Sequence, residues 1–237
     1  MIRPYDFKAG EVLLVHKPLH WTSFDVVNKL RYHIKQRLGI KKIKVGHAGT
    51  LDPLADGLLI ICTGKKTKTI NDFMGLPKTY SGTITLGATT PSYDLETEID
   101  ETFPLDTLTP KKIEDSVASM VGSYDQYPPV FSAKKVKGKK AYDLARAGKE
   151  VELKSKNVTI YSFEVPRINL PQVDFHISCS KGTYIRSIAH DLGKLLNNGG
   201  HLTALRREAI GDFQLNAAKT VEEWLTIIAE APVGSVE

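Results

Sequence analysis

Two runs of alternating apolar and polar residues constrain the fold most. The first is NVTIYSFEV, residues 157–165, and the second is VDFHISCSKG, residues 173–182. Side chains of a β-strand point alternately to opposite faces, so each run predicts a strand with one buried face. The Pro-containing connection at 166–171 is typical of a turn, so we predict that the two strands pair antiparallel.

Other strand and helix patterns follow no regular strand–helix–strand order. EVLLVHKP (11–18) predicts a strand that ends at Pro18, and TYSGTITLG (79–87) predicts another. Helical spacing of apolar residues predicts three helices, which begin at a Ser23 cap, at a Thr109 cap and at Ile185. We therefore predict an α+β fold with a largely antiparallel, mixed central sheet flanked by helices.

The buried faces of the first two helices follow from the same spacing. The first helix is predicted to bury Phe24, Val27, Leu30 and Ile34. The second is predicted to bury Ile113, Val117, Met120 and Val121.

The stretch GHAGTLDPLADG, residues 46–57, places Asp52 among glycine, proline and apolar residues. Pro53 pushes the backbone of Asp52 away from helical conformation, and the flanking glycines allow tight turns. Such a loop can present a carboxylate into a cleft. An Asp before Pro also commonly bonds the backbone of its own turn, so this stretch alone leaves both interpretations open.

Four further side chains are candidates for chemistry. If residues 184–186 are extended, Tyr184 and Arg186 point to one side, where the guanidinium could orient a carboxylate; the spacing alone favours an arginine at the surface of a helix start. Tyr80 opens a strand, where it either packs or offers a platform for a base. His47 is either a general base or a packing residue, and its position assigns neither role.

Charge and cysteine content limit the class of protein. The net charge is +5, and basic residues cluster at 31–44, 64–68 and 134–140, which permits a polyanionic partner without requiring one. Residues 128–156 combine Pro, Gly and Lys, a composition that predicts an exposed basic excursion. We expect Cys62 and Cys179 to be buried thiols, with no zinc site or other metal.

Long apolar segments are absent from the sequence. No run of about 18 apolar residues predicts a membrane span, and the N-terminus lacks the apolar core of a signal peptide. We therefore expect a cytoplasmic protein with no membrane partner.

These stretches together resemble the TruB family of bacterial tRNA pseudouridine synthases. The resemblance runs in the same order along nearly the whole chain. The segments that carry it are LLVHKPLHWTSFDVVNKL (13–30), GHAGTLDPLADGLLIICTGKKTK (46–68), KTYSGTITLG (78–87), YPPVFSAKKVKGKKAYDLARAG (127–148), CSKGTYIRSIAHDLG (179–193) and LTALRREAIGDF (202–213).

The resemblance implies isomerisation of uridine 55 in the T-loop of tRNA to pseudouridine. It implies that Asp52 is the catalytic aspartate, that Arg186 pairs with it, and that Tyr80 stacks on the target base and takes part in proton removal from C5. The residues that it assigns to RNA binding or to the pocket are His47, Lys68, Tyr184 and Leu205.

The resemblance also implies a domain organisation and a set of partners. We expect the pseudouridine-synthase fold as one catalytic domain over 1–237, with a thumb-like element at about 128–156 that grips RNA. A PUA domain is not expected, because too few residues follow Phe213. The expected partner is the T-arm of tRNA, with no obligatory protein partner and a monomeric state. Asp56 stands where the family often has Thr, and we expect it to add negative charge near the RNA face.

The implied chemistry suits one carboxylate. The rearrangement loses no atom and involves no redox change, so no cofactor is expected. A carboxylate can stabilise the charge that develops at C1′ or on the base, or bond covalently; attack at C1′, attack at C6 and elimination through C2′ all stay open. A hydrolytic glycosidase would pair a second acid to activate water, and the sequence offers no convincing one.

Two other functions compete with this assignment. A guide-RNA-dependent synthase with related motifs fits less well, because the chain is compact and no PUA domain is expected. A non-catalytic RNA-binding or tRNA-folding module is disfavoured by the presence of Asp52, Tyr80 and Arg186 together.

Overall fold

The fold is taken from a computed structural model that describes residues 4–131, 135–136, 139–140 and 153–230. The α-helices in these ranges are α1 (Ser23–Leu38), α2 (Ile70–Gly75), α3 (Pro110–Ser119), α4 (Ile185–Leu195) and α5 (Val221–Glu230). The strands are β1 (Val12–Lys17), β2 (Val45–His47), β3 (Ala55–Thr63), β4 (Lys78–Leu86), β5 (Ala88–Thr89), β6 (Glu101–Thr102), β7 (Gly122–Gln126), β8 (Lys135–Val136), β9 (Lys139–Lys140), β10 (Lys156–Asn169), β11 (Gln172–Cys179), β12 (Gly200–Ile210), β13 (Phe213–Gln214) and β14 (Lys219–Thr220). None of these helices is long and apolar enough to cross a membrane.

Backbone contacts divide the chain into two compact units. The first contains the described residues of Met1–Lys78 and Arg206–Glu237, and the second is Thr79–Leu205. The chain returns from the second unit to the first within β12.

The sheet of the first unit is built around β3, which is buried along almost its whole length. β1 pairs antiparallel with β3 from Val12 opposite Cys62 to Lys17 opposite Gly57, while β14 pairs parallel with β1. Apolar side chains of β3 leave both faces of the sheet. One set packs with α1 and α5, and the other packs with the segment around α2 and β13. This burial on both faces explains the continuous apolar run LLIIC, since such strands do not alternate.

The second unit packs α3 and α4 on a sheet in which β10 pairs antiparallel with both β11 and β7. Its core joins Ile113 and Val117 of α3 and Ile188 and Leu192 of α4 to inward side chains of β4, β10 and β11. The predicted antiparallel pairing of β10 with β11 is therefore confirmed. The turn between them comprises residues 170–171, which is shorter than the predicted connection at 166–171. Both units combine helices with a largely antiparallel sheet, so the predicted α+β class is confirmed.

Two predicted helix faces need correction. The cap of α1 is Thr22, which forms a capping box with Asp25, and Ser23 is the first helical residue. Phe24 is 58% exposed, and the buried stripe contains Val26 in its place. Val121 is 45% exposed because α3 ends at Ser119, so the helical spacing no longer applies to it.

The remaining sequence predictions are only partly covered by the structure. Cys62 and Cys179 are buried free thiols, as predicted. The predicted excursion at 128–156 begins within the described residues, where Pro128 and Pro129 are buried, and β8 pairs antiparallel with β9. At its other end, Lys154, Ser155 and Lys156 are exposed, as predicted, while residues 132–134, 137–138 and 141–152 lie outside the described residues.

Candidate functional site

The seven predicted site residues are divided between the two units. His47, Asp52 and Lys68 belong to the first unit. Tyr80, Tyr184, Arg186 and Leu205 belong to the second. The pairing of Asp52 with Arg186 stays a prediction, and each half of the site is described within its own unit.

Asp52 lies on the loop between β2 and β3, and hydrogen bonds hold this loop on both sides of the half-buried aspartate. The buried Ser23 hydroxyl accepts from Leu51 N–H at 2.8 Å and donates to the Leu51 carbonyl at 3.1 Å. His20 N–H donates to the Pro53 carbonyl at 2.7 Å. The start of α1 thus fixes the two residues that flank Asp52.

A buried arginine holds the other end of the same loop. Arg207, 1% exposed, donates from Nε to the Leu58 carbonyl at 2.7 Å. Its two terminal nitrogens donate to the carbonyls of Thr50 at 3.4 Å and Gly49 at 3.2 Å. Close approach is possible because Gly57 has no side chain; a Cβ there would lie 2.5 Å from the Arg207 carbonyl oxygen. One guanidinium therefore fixes the end of β12, the start of β3 and the Asp52 loop together.

A buried lysine, Lys17, also lies near the Asp52 loop. The fully buried Lys17 donates from Nζ to the carbonyls of Pro18 at 2.9 Å and Trp21 at 2.7 Å. Burial lowers the pKa of Lys17 to about 8, while the negative charges of Asp56 and Asp52 oppose that shift. Lys17 is thus a positive charge in the electrostatic field of the predicted catalytic carboxylate.

Asp56 does not add an uncompensated negative charge, contrary to the expectation from the sequence. Arg206 donates to both of its carboxylate oxygens, from Nε at 3.0 and 3.2 Å and from Nη2 at 2.7 Å, and His16 Nε2 lies 3.5 Å from Oδ2. Burial opposes ionisation of Asp56, but the Arg206 and His16 contacts outweigh it and lower the pKa of the carboxyl. The side chain is only 14% exposed, so the ion pair covers its charge.

The two remaining predicted residues of the first unit differ in exposure. His47 is half-buried at the end of β2. Burial lowers the pKa of His47, a backbone hydrogen bond with Gly49 opposes the shift, and the Arg207 charge adds to it, which favours a neutral imidazole. Lys68 is exposed on the 3-10 helix Gly64–Thr69, together with Lys65 and Lys66, as an RNA-binding role requires.

In the second unit, Arg186 is a buried residue at the start of α4. It is 6% exposed, so the interpretation as a surface arginine is wrong. Its Nη1 donates to the Phe131 carbonyl at 2.9 Å and to the Ser92 carbonyl at 3.4 Å, and its Nε lies 3.6 Å from Asp94 Oδ2. Asp94 is itself 5% exposed. This buried ion pair fixes the guanidinium at a defined place.

The backbone of Tyr184, which caps α4, is held by one amide side chain. The buried Gln126 accepts from Tyr184 N–H at 2.8 Å and donates to its carbonyl at 3.2 Å. Tyr80 and Leu205 are partly buried and pack against the core of the same unit. They keep part of their surface available, as pocket residues would.

Four residues that position the site were missed from the sequence: Lys17, Asp94, Gln126 and Arg207. Lys17 carries the clearest signal, since it follows the apolar run VLLV in β1, whereas Arg207 lies in the polar stretch RRE of β12 and is not marked by its neighbours. Asp94 begins the acidic stretch DLETEIDE, residues 94–101, which does not mark it as a partner of Arg186, and the sequence around Gln126 gives no signal. No three His, Cys, Asp or Glu side chains form a metal-binding group in the part of the chain that the structure describes.

Comparison with known proteins assigns the family. The model for the N-terminal domain of TruB family pseudouridylate synthases matches residues 35–185. The model for the tRNA pseudouridylate synthase B C-terminal domain matches residues 186–231. The chain belongs to the TruB family. Its members are pseudouridine synthases, so the chain is an isomerase of this kind, and the predicted family is confirmed.

Relatives in the TruB family match over almost their full length. The tRNA pseudouridine synthase B of Phocaeicola vulgatus is 56% identical over 223 residues, which cover 93% of this chain and 95% of the relative. That of Flavobacterium johnsoniae is 54% identical over 216 residues, covering 91% and 94%.

Solved structures support the predicted fold. A chain in the crystal structure of a Cbf5-Nop10-Gar1 complex matches with a TM-score of 0.69 and 26% identity, over 93% of this chain. A chain in an H/ACA RNP bound to a substrate RNA containing 2'-deoxyuridine matches with a TM-score of 0.65 and 24% identity, over 92%. This chain spans about half the length of those solved chains, 54% and 53%.

Proposed function

We propose that this chain isomerises uridine 55 in the T-loop of tRNA to pseudouridine, with Asp52 as the catalytic aspartate. The observation that carries the proposal is the loop around Asp52, which is fixed by Ser23, His20 and Arg207 while Asp52 itself is only half-buried. Family membership supports the reaction, and the names of the relatives support tRNA as the substrate.

A fixed carboxylate suits the rearrangement for an electrostatic reason. Charge develops on the sugar or the base while the glycosidic bond breaks, and a preorganised group stabilises that charge without reorganising during the reaction. Asp52 meets this requirement because two separate segments, the start of α1 and β12, hold its loop. We propose that Arg186, fixed by Asp94, orients the carboxylate, and that Tyr80 stacks on the base and takes part in removing the proton from C5. Tyr184 and Leu205 line the pocket. Exclusion of water there prevents water from reacting at C1′ of the sugar after the glycosidic bond breaks.

Access to the uridine requires RNA binding. The target nucleotide must leave its stack, which costs a few kcal/mol, and contacts to the RNA offset that cost. Lys68 and the basic residues within 128–156 supply phosphate contacts in this proposal, and His47 helps to hold the flipped-out state. We further propose that residues 1–237 work as one catalytic domain, without a cofactor or an obligatory protein partner, as a cytoplasmic monomer.

The test is the change Asp52→Asn, with pseudouridine mapped in a tRNA transcript after incubation with the purified protein. Asn keeps the size of the side chain but removes its negative charge, so we expect pseudouridine formation to stop while the Kd for tRNA stays within about twofold. Asp72→Asn, at an exposed position in α2, is the matched control and should turn over normally. Normal turnover by Asp52→Asn would refute the assignment of the catalytic residue.

A further inference from the structure

One side of α1 has no role in the proposed function. We define the α1 flank as Phe24, Asn28, Arg31 and Lys35, which follow one another at spacings of three or four residues and so share one side of the helix. This side is distinct from the buried stripe of Val26, Val27, Leu30 and Ile34. Phe24 is 58% exposed, and Arg31 and Lys35 are partly exposed.

Arg31 is held in a defined position on this flank. Its Nη2 donates to Asn28 Oδ1, and its Cζ lies 5.8 Å from the centroid of the Phe24 ring. Neither contact neutralises the guanidinium, because an amide and an aromatic ring carry no net charge. The flank thus presents a positive charge whose position is fixed before any ligand binds.

The charged residues that follow Asp25 in the sequence are all basic as far as Asp52. No Asp or Glu occurs between Asp25 and Asp52, whereas this interval contains seven Lys and Arg residues. Asp25 is engaged in the helix cap, where its carboxylate accepts from Thr22. A stretch of chain whose charged residues are all cations is complementary to a polyanion rather than to a typical protein partner.

The flank begins beside the Asp52 loop. Ser23 and His20, at and just before the start of α1, hold Leu51 and Pro53. An RNA whose uridine reaches Asp52 therefore passes the first turn of α1. From Phe24 to Lys35 the helix rises by about 16 Å, at 1.5 Å per residue, so the flank spans about that length from the turn next to the Asp52 loop.

We propose that the α1 flank binds the phosphate backbone of the RNA substrate next to the nucleotide that reaches Asp52. Arg31 is the main phosphate ligand, because a guanidinium binds phosphate through paired N–H donors. Lys35, one turn further along, is the second ligand. Asn28 and Phe24 are positioning residues that hold Arg31. This inference rests on the proposed function, since it takes the same tRNA as its ligand.

The test measures the Kd for a tRNA transcript at several salt concentrations. For the double variant Arg31→Gln/Lys35→Gln, we expect weaker binding and a plot of log Kobs against log salt that is shallower by about 1.5, since each lost phosphate contact removes about 0.7–0.9. Lys29→Gln is the matched control, because Lys29 is exposed on the other side of α1. The single variants Lys29→Gln and Arg31→Gln each remove one positive charge, so they are compared directly. We expect the slope of the salt plot to keep its wild-type value in Lys29→Gln and to become shallower in Arg31→Gln.

Two further variants test how Arg31 is held. Asn28→Ala and Phe24→Leu keep every charge, so we expect a several-fold weaker Kd with an unchanged salt slope. Equal effects of Arg31→Gln and Lys29→Gln on the slope would show that only net charge matters and would overturn the proposal. Unchanged binding in the double variant would also overturn it.

Single-turnover rates at saturating tRNA separate this inference from the proposed function. We expect wild-type rates for all flank variants, because none of the flank residues touches the reacting atoms. A wild-type protein that forms no pseudouridine refutes the proposed function. If the wild-type protein is active and the flank variants bind tRNA with the wild-type Kd and salt slope, only the proposed role of the α1 flank is refuted. Thermal unfolding of each variant shows that the fold is retained.

Discussion

Arg207 is the residue whose single side chain holds most of the Asp52 loop, so it gives a direct prediction. Arg207→Lys keeps the charge but replaces the planar fork that reaches the carbonyls of Leu58, Thr50 and Gly49 with one ammonium group. Hydrogen bonds to charged groups contribute about 1.5–3 kcal/mol each, so we expect the free energy of unfolding to fall by roughly 2–3 kcal/mol. We also expect a lower kcat, because the loop is less fixed. Urea unfolding and turnover assays measure the two effects.

The adjacent arginine is the control for this change. Arg206 is 50% exposed, and a Lys at this position keeps the positive charge beside the Asp56 carboxylate, so only the two-pronged geometry is lost. Arg206→Lys should therefore lower the free energy of unfolding by less than 1 kcal/mol. Equal losses in the two variants would argue against a special role for Arg207.

Asp94 gives a second prediction at the scale of one residue. Asp94→Asn removes the charge that lies 3.6 Å from Arg186 Nε and thereby weakens the contacts that fix the buried guanidinium. We expect kcat to fall at least tenfold with a smaller change in KM, because Arg186 is fixed for catalysis rather than for RNA binding. Glu98→Gln, at an exposed position four residues on, should leave kcat unchanged. A loss confined to KM would contradict this role.

The family resemblance supplied the predicted site residues, and neither it nor the local patterns showed what holds them in place. Asp52 is marked by its neighbours, because glycine and proline in the same short stretch predict an unusual loop. Arg207 binds carbonyls 149 to 158 positions away, and Arg186 binds Asp94 across 92 positions. Such contacts depend on how distant strands return to one another, which local patterns do not determine.

The start of α1 shows how one element serves both folding and the site. Ser23→Ala removes the hydroxyl that bonds both N–H and C=O of Leu51 in a buried place, so two backbone groups lose their partner. We expect the free energy of unfolding to fall by about 2 kcal/mol and kcat to fall with it, since an unpaired buried group costs about 1–3 kcal/mol.

Thr22→Ala is the control for this prediction. Thr22 caps the same helix, and its loss should cost about 1 kcal/mol without loosening the Asp52 loop. Stability and turnover are measured on both variants under the same conditions. If Thr22→Ala reduced kcat as much as Ser23→Ala, helix stability rather than the tie to Leu51 would control the site.

The elements that the sequence predicted best are those whose apolar spacing is regular over their whole length. The starts of β11 and α4 were predicted to within one residue, because regular apolar spacing begins there. The face of α1 was partly wrong at Phe24, because an exposed aromatic side chain has the same spacing as a buried one. In the structure this ring lies at the surface, where its centroid is 5.8 Å from Arg31 Cζ.

At the scale of the whole molecule, the buried Lys17 links the stability of the fold to pH. The pKa of Lys17 is about 8 in the folded chain, below its usual value of 10.5. Between these two values the unfolded chain binds more protons than the folded chain, so Lys17 makes the free energy of unfolding rise with pH across that window. The slope from one such group is at most about 1.4 kcal/mol per pH unit.

Lys17→Met isolates this contribution. The change removes the titrating group, so we expect the free energy of unfolding to rise less steeply between pH 8 and 10.5 than in the wild-type chain. The carbonyls of Pro18 and Trp21 also lose their donor in this variant, which by itself lowers the free energy of unfolding at every pH. Urea unfolding at half-unit pH steps measures both curves, and it is the difference in slope that is compared. Parallel curves would mean that Lys17 binds its proton equally well in the folded and unfolded chains, and burial of its charge would then have no energetic consequence.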